Sequence, residues 1–222
     1  TSKYRSFKEI NKKNSILFVG RLNEQKNISL LLNSLVGTNI TLDIVGTGEL
    51  ETDLRKEAKD LGVVVNFFGN IPNNKMPEIY NNYQVYVLCS HYEGNPKTLL
   101  EAMSCGCAVI GTDVPGIREV ISHEVNGLLV SEDEQSFHNE ILRIYHDKSL
   151  SFKLGSEAAK HIELNNSLKN AVLNEMQSYN SILNWLGVMT KKVESVFVKV
   201  SIVMAVFNES ENVAIAIDSI IN

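Results

Sequence analysis

The sequence predicts an α/β protein with a doubly wound parallel sheet, on three observations. Short β-branched runs alternate with amphipathic segments from residue 14 onward. The alternation repeats at the spacing of strand–helix–strand units, which calls for a parallel sheet covered on both faces. From about 134 to 186 the periodicity becomes helical throughout, with no strand signal. With 222 residues and 44% hydrophobic content, the chain can bury a sizeable core.

The elements follow in order. "SILFVG" (15–20) reads as a buried strand, and "NISLLLNSLVG" then puts Ile28, Leu31, Leu32 and Leu35 on one helical face. "ITLDIVG" (40–46) is a second strand, followed by a helix carrying Leu50, Leu54, Ala58 and Leu61. "VVVNFFG" (63–69) is a third, with a short helix near "MPEIYNN". "VYVLCS" (85–90) is a fourth, a helix from Pro96 to Cys105 follows, and "AVIGT" (108–112) is a fifth. After "GIREVIS", "GLLV" makes a short sixth.

Composition shifts near residue 187. "GVMTKKVES" reads as a linker, and "VKVSIVMAVFNESENVAIAIDSIIN" opens a new strand-and-helix unit that stops inside its first helix. One such unit cannot bury its own apolar face, so the tail is expected to be the severed start of a second domain. The domain reading is therefore an N-terminal segment 1–13, a domain 14–187, a linker 188–198 and a stub 199–222. The strand of the stub, apolar on both faces, is expected to pack on the 150–186 helices or on another chain. The chain starts without Met, so its natural N-terminus is expected elsewhere.

Net charge of −5 argues against a nucleic-acid or anionic-membrane partner. The most hydrophobic run, "VFVKVSIVMAVF" (196–207), is far shorter than the roughly 20 residues of a membrane span and is broken by Lys199. Cys89, Cys105 and Cys107 form no C-x-x-C pair, so neither a disulfide framework nor a zinc site is suggested. They read as small buried residues in a reducing cytoplasm.

The segment "HYEGNPKTLLEAMSCG" (91–106) carries the most chemistry. The fourth strand delivers it to the carboxyl end of the sheet, where open parallel sheets bind ligands. Pro96 suits the first helical position and Asn95 the N-cap. The amides of Lys97, Thr98 and Leu99 would then face an anion, most often a phosphate. Glu101, one turn on, matches a vicinal diol such as a ribose, and Glu93 would lie across the phosphate on its other side. The competing reading is a solvated Glu93 and a Glu101–Lys97 helix pair. Arg21 and Lys26 in "GRLNEQKN" occupy the same sheet edge and would balance a diphosphate, or else are ordinary solvated charge. Gly46 and Gly48 in "GTGE" allow close backbone approach. "TDVPGIREVI" adds Gly116 and Glu119, alone only a loop entering a helix.

In this order the segments "VGRLNEQKN", "IVGTGELETDL", "FFGNIPNNKMPEIY", "SHYEGNPKTLLEAMSCGCAVIGTDVPGIREVI" and "NGLLV" resemble the C-terminal, donor-binding half of a GT-B glycosyltransferase, family 4. The resemblance implies a Rossmann-like half with C-terminal helices that binds a nucleoside-diphosphate sugar of UDP or GDP type. It assigns Arg21 and Lys26 to the diphosphate, Glu101 to the ribose, and Glu93 with Gly94 and Asn95 to the transferred sugar. Arg21, Lys26 and Glu93 are thereby the catalytic candidates. Thr98 and Leu99 would meet the phosphates through their amides, Ile71 the base through its backbone, and Gly20 and Gly46 complete the donor-binding set. It implies no metal or cofactor for this domain. Two departures stand out: "GNPKT" replaces the usual Gly-Phe-Gly-x-Pro, and "KN" the usual Lys-Gly.

The tail is similar to the opening of family 2 glycosyltransferases of GT-A fold, which makes Phe207 and Glu209 candidates for a second nucleotide pocket. A divalent metal is left open for the remainder of that domain. Together the resemblances imply a retaining transferase in bacterial surface-polysaccharide synthesis, cytoplasmic or peripheral at the inner face of the membrane. A glycan or lipid-linked acceptor would meet it through a missing N-terminal domain, and the isolated fragment would bind donor without turnover. A GT-B nucleotide-sugar epimerase and a non-catalytic docking module are the alternatives.

Overall fold

The computed structural model describes residues 13–165. The linker, the stub and its Phe207 and Glu209 lie outside them, as does the last part of the 134–186 helical stretch.

Six parallel strands form one sheet in the order β3-β2-β1-β4-β5-β6. They are β1 (Lys13–Val19), β2 (Thr41–Val45), β3 (Val65–Phe67), β4 (Tyr83–Leu88), β5 (Ala108–Thr112) and β6 (Leu128–Val130). The helices are α1 (Ile28–Ser34), α2 (Glu51–Leu61), α3 (Met76–Asn81), α4 (Lys97–Ser104), α5 (Pro115–Arg118), α6 (Glu134–His146) and α7 (Lys148–Asn165). Three-residue 3₁₀ turns precede α1 (Glu24–Lys26) and α3 (Asn73–Lys75). β1 pairs with β2 on one side, Val19 opposite Val45, and with β4 on the other, Leu17 opposite Tyr86. The predicted doubly wound sheet is what forms.

The apolar runs explain the burial. Ile16, Leu17 and Phe18 of β1 and Tyr86, Val87 and Leu88 of β4 are wholly buried, as central parallel strands require. The predicted stripe Ile28, Leu31, Leu32 and Leu35 faces the core, where α1 packs beside α2 and α6. On α7, Leu154, Ala158 and Ile162 are buried against α4 and β5. All three cysteines are free and buried.

Several predicted boundaries move. The third strand shrinks to Val65–Phe67 because Gly62, at φ 71°, ends α2 and the Val63 amide is spent on the Ala58 carbonyl (2.9 Å). The fourth strand starts two residues earlier than expected, at Tyr83. The helix predicted from Pro96 starts at Lys97, with Pro96 rather than Asn95 in the capping position and no side-chain cap. Pro96 has φ −77° and ψ 69°, an inverse γ-turn, and the Lys97 amide is thereby drawn to the Asn95 carbonyl at 2.8 Å.

One buried polar cluster ties four strands together. The carboxylate of Asp43, 2% exposed in β2, accepts from the Tyr83 hydroxyl (2.5 Å), Asn66 Nδ2 (2.7 Å) and Ser15 Oγ (3.1 Å). Lys13 Nζ adds a longer contact at 3.4 Å. Burial first, then the hydrogen bond and charge of Asp43, hold the Tyr83 phenol well above its usual range, so it stays a donor. Removing the carboxylate leaves these donors without their acceptor. Asp43→Ala is expected to cost about 3–5 kcal/mol in urea unfolding, on the scale of a broken buried charge network. A loss below about 1 kcal/mol would show the cluster to be energetically neutral.

Candidate functional site

The site forms where β1 and β2 end. Gly20 follows β1 and donates its amide to the Val45 carbonyl at 3.0 Å, and the Leu22 amide reaches the Thr47 carbonyl at 3.0 Å. Gly46 follows β2 at φ 132°, and a Cβ there would lie 1.9 Å from the Gly20 carbonyl oxygen. Only glycine fits that approach. The Gly46 amide bonds the Gly69 carbonyl at 2.8 Å, which brings the loop after β3 alongside.

These crossings leave a cleft of about 470 Å³. The ends of β1 and β2 line it with Gly20, Arg21, Gly46 and Thr47, the segment after β3 with Asn70, Ile71, Asn73 and Met76, and α4 with Thr98 and Glu101. Arg21, Ile71, Thr98 and Glu101 thus come together from three separate segments. Glu101 does not pair with Lys97; its Oε2 accepts from the buried Tyr80 hydroxyl at 3.0 Å. Thr98 Oγ1 meets the hydroxyl of Tyr86 at 2.9 Å, and burial keeps that phenol far above its usual range. The amides of Thr98 and Leu99 lie ahead of the first intrahelical bond of α4 and can still face an anion. The Lys97 amide cannot, having gone to Asn95, and the Leu99 side chain is wholly buried.

Lys26 and Glu93 stand differently. Neither lines the cleft, and they form an ion pair with each other, their side chains only 15% and 7% exposed. Glu93 Oε1 also accepts from Ser90 Oγ at 2.7 Å. The stem of Lys26 nevertheless runs past the cleft wall, its Cε 3.5 Å from where a Cβ on Gly20 would be. Gly94 and Asn95 are exposed beyond the pair, and a side chain at Gly94 would meet nothing.

Main-chain bonds lock the two loops that carry this pair. The His91 amide reaches the Gln25 carbonyl (2.9 Å), Gln25 Nε2 the Tyr92 carbonyl (2.9 Å), and Cys89 Sγ the Lys26 carbonyl (3.2 Å). Thr112 Oγ1 donates to the Ser90 carbonyl at 2.6 Å. Gly116 explains itself here, since a Cβ would sit 1.9 Å from the Glu93 carbonyl oxygen. Glu119, by contrast, is exposed. Sequence reading missed Thr47, Asn70, Asn73, Met76, Tyr80, Tyr86 and Ser90. Thr47, Asn70 and Ser90 had a legible signal, their place at or just past the end of a predicted strand.

A cleft at the carboxyl ends of a 3-2-1-4-5-6 sheet now has relatives to compare. The family model described as glycosyl transferases group 1 matches residues 1–161. The chain belongs to that family. An α-1,4-N-acetyl-D-galactosaminyltransferase of Campylobacter jejuni is 30% identical over 155 residues, 66% of this chain and 43% of that protein. An α-1,3-galactosyltransferase of Escherichia coli, named for UDP-Gal and a diphosphoundecaprenol substrate, is 33% identical over 152 residues, 63% of this chain and 39% of that protein. The chain thus spans less than half of either relative. The sucrose-phosphate synthase of Thermosynechococcus elongatus superposes with TM-score 0.73 at 24% identity, covering 82% of this chain and 50% of that one. Anabaena HepE, solved with UDP and glucose, gives 0.68 at 22% identity, covering 76% and 49%. These structures establish the fold as the Rossmann-like one of a GT-B half.

Among the described residues, no helix is long and apolar enough to cross a membrane, and no group of His, Cys, Asp or Glu could hold a metal ion. Burial pushes the Cys89 thiol up to about 12, outweighing its hydrogen bonds and the nearby Lys26 charge. The thiol stays protonated and unreactive at neutral pH. Ellman's reagent is therefore expected to find no fast thiol in the native protein and all three after denaturation. A rapid native reaction would show that the loop over Cys89 opens.

Proposed function

We propose that this chain is the donor-binding half of a retaining, metal-independent glycosyltransferase. Its donor is a nucleoside-diphosphate sugar of UDP or GDP type. The observation that carries the reading is the convergence of Arg21, Thr98, Ile71 and Glu101 on one cleft at the end of β1 and β2. The diphosphate lies between Arg21 and the α4 amides, the ribose by Glu101, and the base by the Ile71 backbone. The sugar extends toward Glu93, Gly94 and Asn95. Lys26 reaches the diphosphate by leaving Glu93, since its stem already runs beside Gly20. Arg21 and Lys26 then stabilise the charge that grows on the departing nucleoside diphosphate, where fixed cations act best.

A glycan or lipid-linked acceptor meets this half from a second domain, and the role is in surface-polysaccharide synthesis at the inner face of the membrane. The names of the Campylobacter and Escherichia relatives, with their undecaprenol-linked substrates, support that placement. Residues 199–222 are further proposed to open a GT-A transferase whose pocket begins with Phe207 and Glu209. That reading rests on sequence resemblance alone. Deleting 196–222 should leave nucleotide binding intact, and a deletion that unfolded the first domain on circular dichroism would refute the boundary.

Arg21→Ala and Lys26→Ala are each expected to weaken nucleoside-diphosphate binding by about 1.5–3 kcal/mol, the scale of a charged hydrogen bond. Unchanged affinity by calorimetry in both variants would remove the diphosphate from this cleft.

The two carboxylates should separate. Glu101→Gln weakens nucleoside-diphosphate binding through the ribose. Glu93→Gln leaves it at wild-type strength or tighter, because Lys26 is released, and lowers turnover in the full-length enzyme. Identical binding and turnover profiles for the two variants would defeat this division.

A further inference from the structure

Two tyrosines reach the cleft wall from the core side. Tyr80 of α3 and Tyr86 of β4 are both wholly buried, their rings 6.0 Å apart and edge-on at 63°. Phenylalanine would fill the same space without burying a hydroxyl, which costs free energy unless it is bonded. Each hydroxyl is instead aimed at a cleft residue of α4. That of Tyr86 meets Thr98 Oγ1 at 2.9 Å, and that of Tyr80 meets Glu101 Oε2 at 3.0 Å. An ionised carboxylate only accepts, so Tyr80 is the donor in its pair.

The contact has a geometric consequence. A glutamate side chain turns about several bonds, and a carboxylate facing a cleft would ordinarily sample many orientations. The bond to Oε2 holds one carboxylate oxygen on the Tyr80 side while Glu101 still lines the cleft. A group ordered before its ligand arrives does not lose that freedom on binding.

We propose that Tyr80 is a positioning residue for nucleotide recognition. Its hydroxyl holds Glu101 so that the carboxylate meets a ribose diol, and Tyr80 thereby sets discrimination between ribo- and 2′-deoxyribonucleotides. The inference rests on the reading of the cleft as a nucleoside-diphosphate site. Tyr86, equally buried but bonded to Thr98, has no part in ribose selection.

The test is calorimetry on the full chain with UDP and 2′-deoxy-UDP, the GDP pair run alongside. The wild type is expected to prefer the ribonucleotide by about tenfold, the worth of one good hydrogen bond to a charged group. Tyr80→Phe should bring that preference to about threefold or less, with binding of the 2′-deoxy nucleotide nearly unchanged. Tyr86→Phe should keep the wild-type ratio, whatever it does to overall affinity. Tyr80→Phe combined with Glu101→Gln should lose no more of the ratio than Glu101→Gln alone, since both act through one carboxylate.

A thermal melt accompanies each variant, and Tyr80→Met, which also lacks the donor, replaces Tyr80→Phe if that variant fails to fold. A ratio that collapses in Glu101→Gln but stays at the wild-type value in the donor-less Tyr80 variant overturns the proposal and leaves the nucleotide site standing. So does a loss shared equally by the ribo- and 2′-deoxy nucleotides, which marks general damage. A wild type that binds neither UDP nor GDP overturns the nucleotide reading, and the role of Tyr80 with it.

Discussion

β1 lies at the centre of the sheet, hydrogen-bonded to β2 on one side and β4 on the other. The chain moves outward from it in both directions, and right-handed crossovers send the two sets of connections to opposite faces. The helices after β1 and β4 therefore leave on opposite faces, while the loops that lead to them stay bonded to each other, and the cleft opens beside them over the ends of β1 and β2. Everything else in the site is fitted around that opening. Gly20 and Gly46 let the two backbones that cross it come close, and α4 starts beside it because β4 ends there.

The crevice gathers charge as well as space. Arg21 faces it, while Lys26 and Glu93 neutralise each other at its rim in a largely buried pair. A buried lysine without a partner would be expensive, and so would a buried carboxylate, and here each satisfies the other. In the proposed donor complex the diphosphate replaces Glu93 as the partner of Lys26, and the freed carboxylate turns to the sugar. Glu93 has little room to move its backbone in that exchange. Gly116 packs on its carbonyl, Ser90 holds its side chain, and Ser90 is itself held by Thr112.

Much of this was legible in the sequence for a physical reason. Strand and helix periods are local properties, so all six strands and the main helices could be read from runs of apolar residues. The motifs marked Arg21, Gly46, Ile71, Thr98 and Glu101, and the structure brings these five to one cleft. Local rules failed where one bond overrode a preference. Asn95 and Pro96 are good capping and first-turn residues, yet the γ-turn at Pro96 shifts the helix start and removes one amide from the anion set. The expected Lys97–Glu101 pair likewise gave way to Tyr80, which no helical spacing could have indicated.

By itself, then, the sequence determined the fold class, the order of elements, the glycines that permit close approach and the charged residues available for chemistry. These depend on side-chain type and on spacing along one chain. Tertiary structure alone decided which of those charges face the cleft and which face each other. Arg21 and Lys26 sit five residues apart on one loop, yet one opens to the cleft and the other is bound to Glu93 from a distant loop. It also decided that two core tyrosines carry hydroxyls for Thr98 and Glu101. Such pairings join segments far apart in sequence, and their free energy comes from burial and geometry that exist only once the sheet has closed around them.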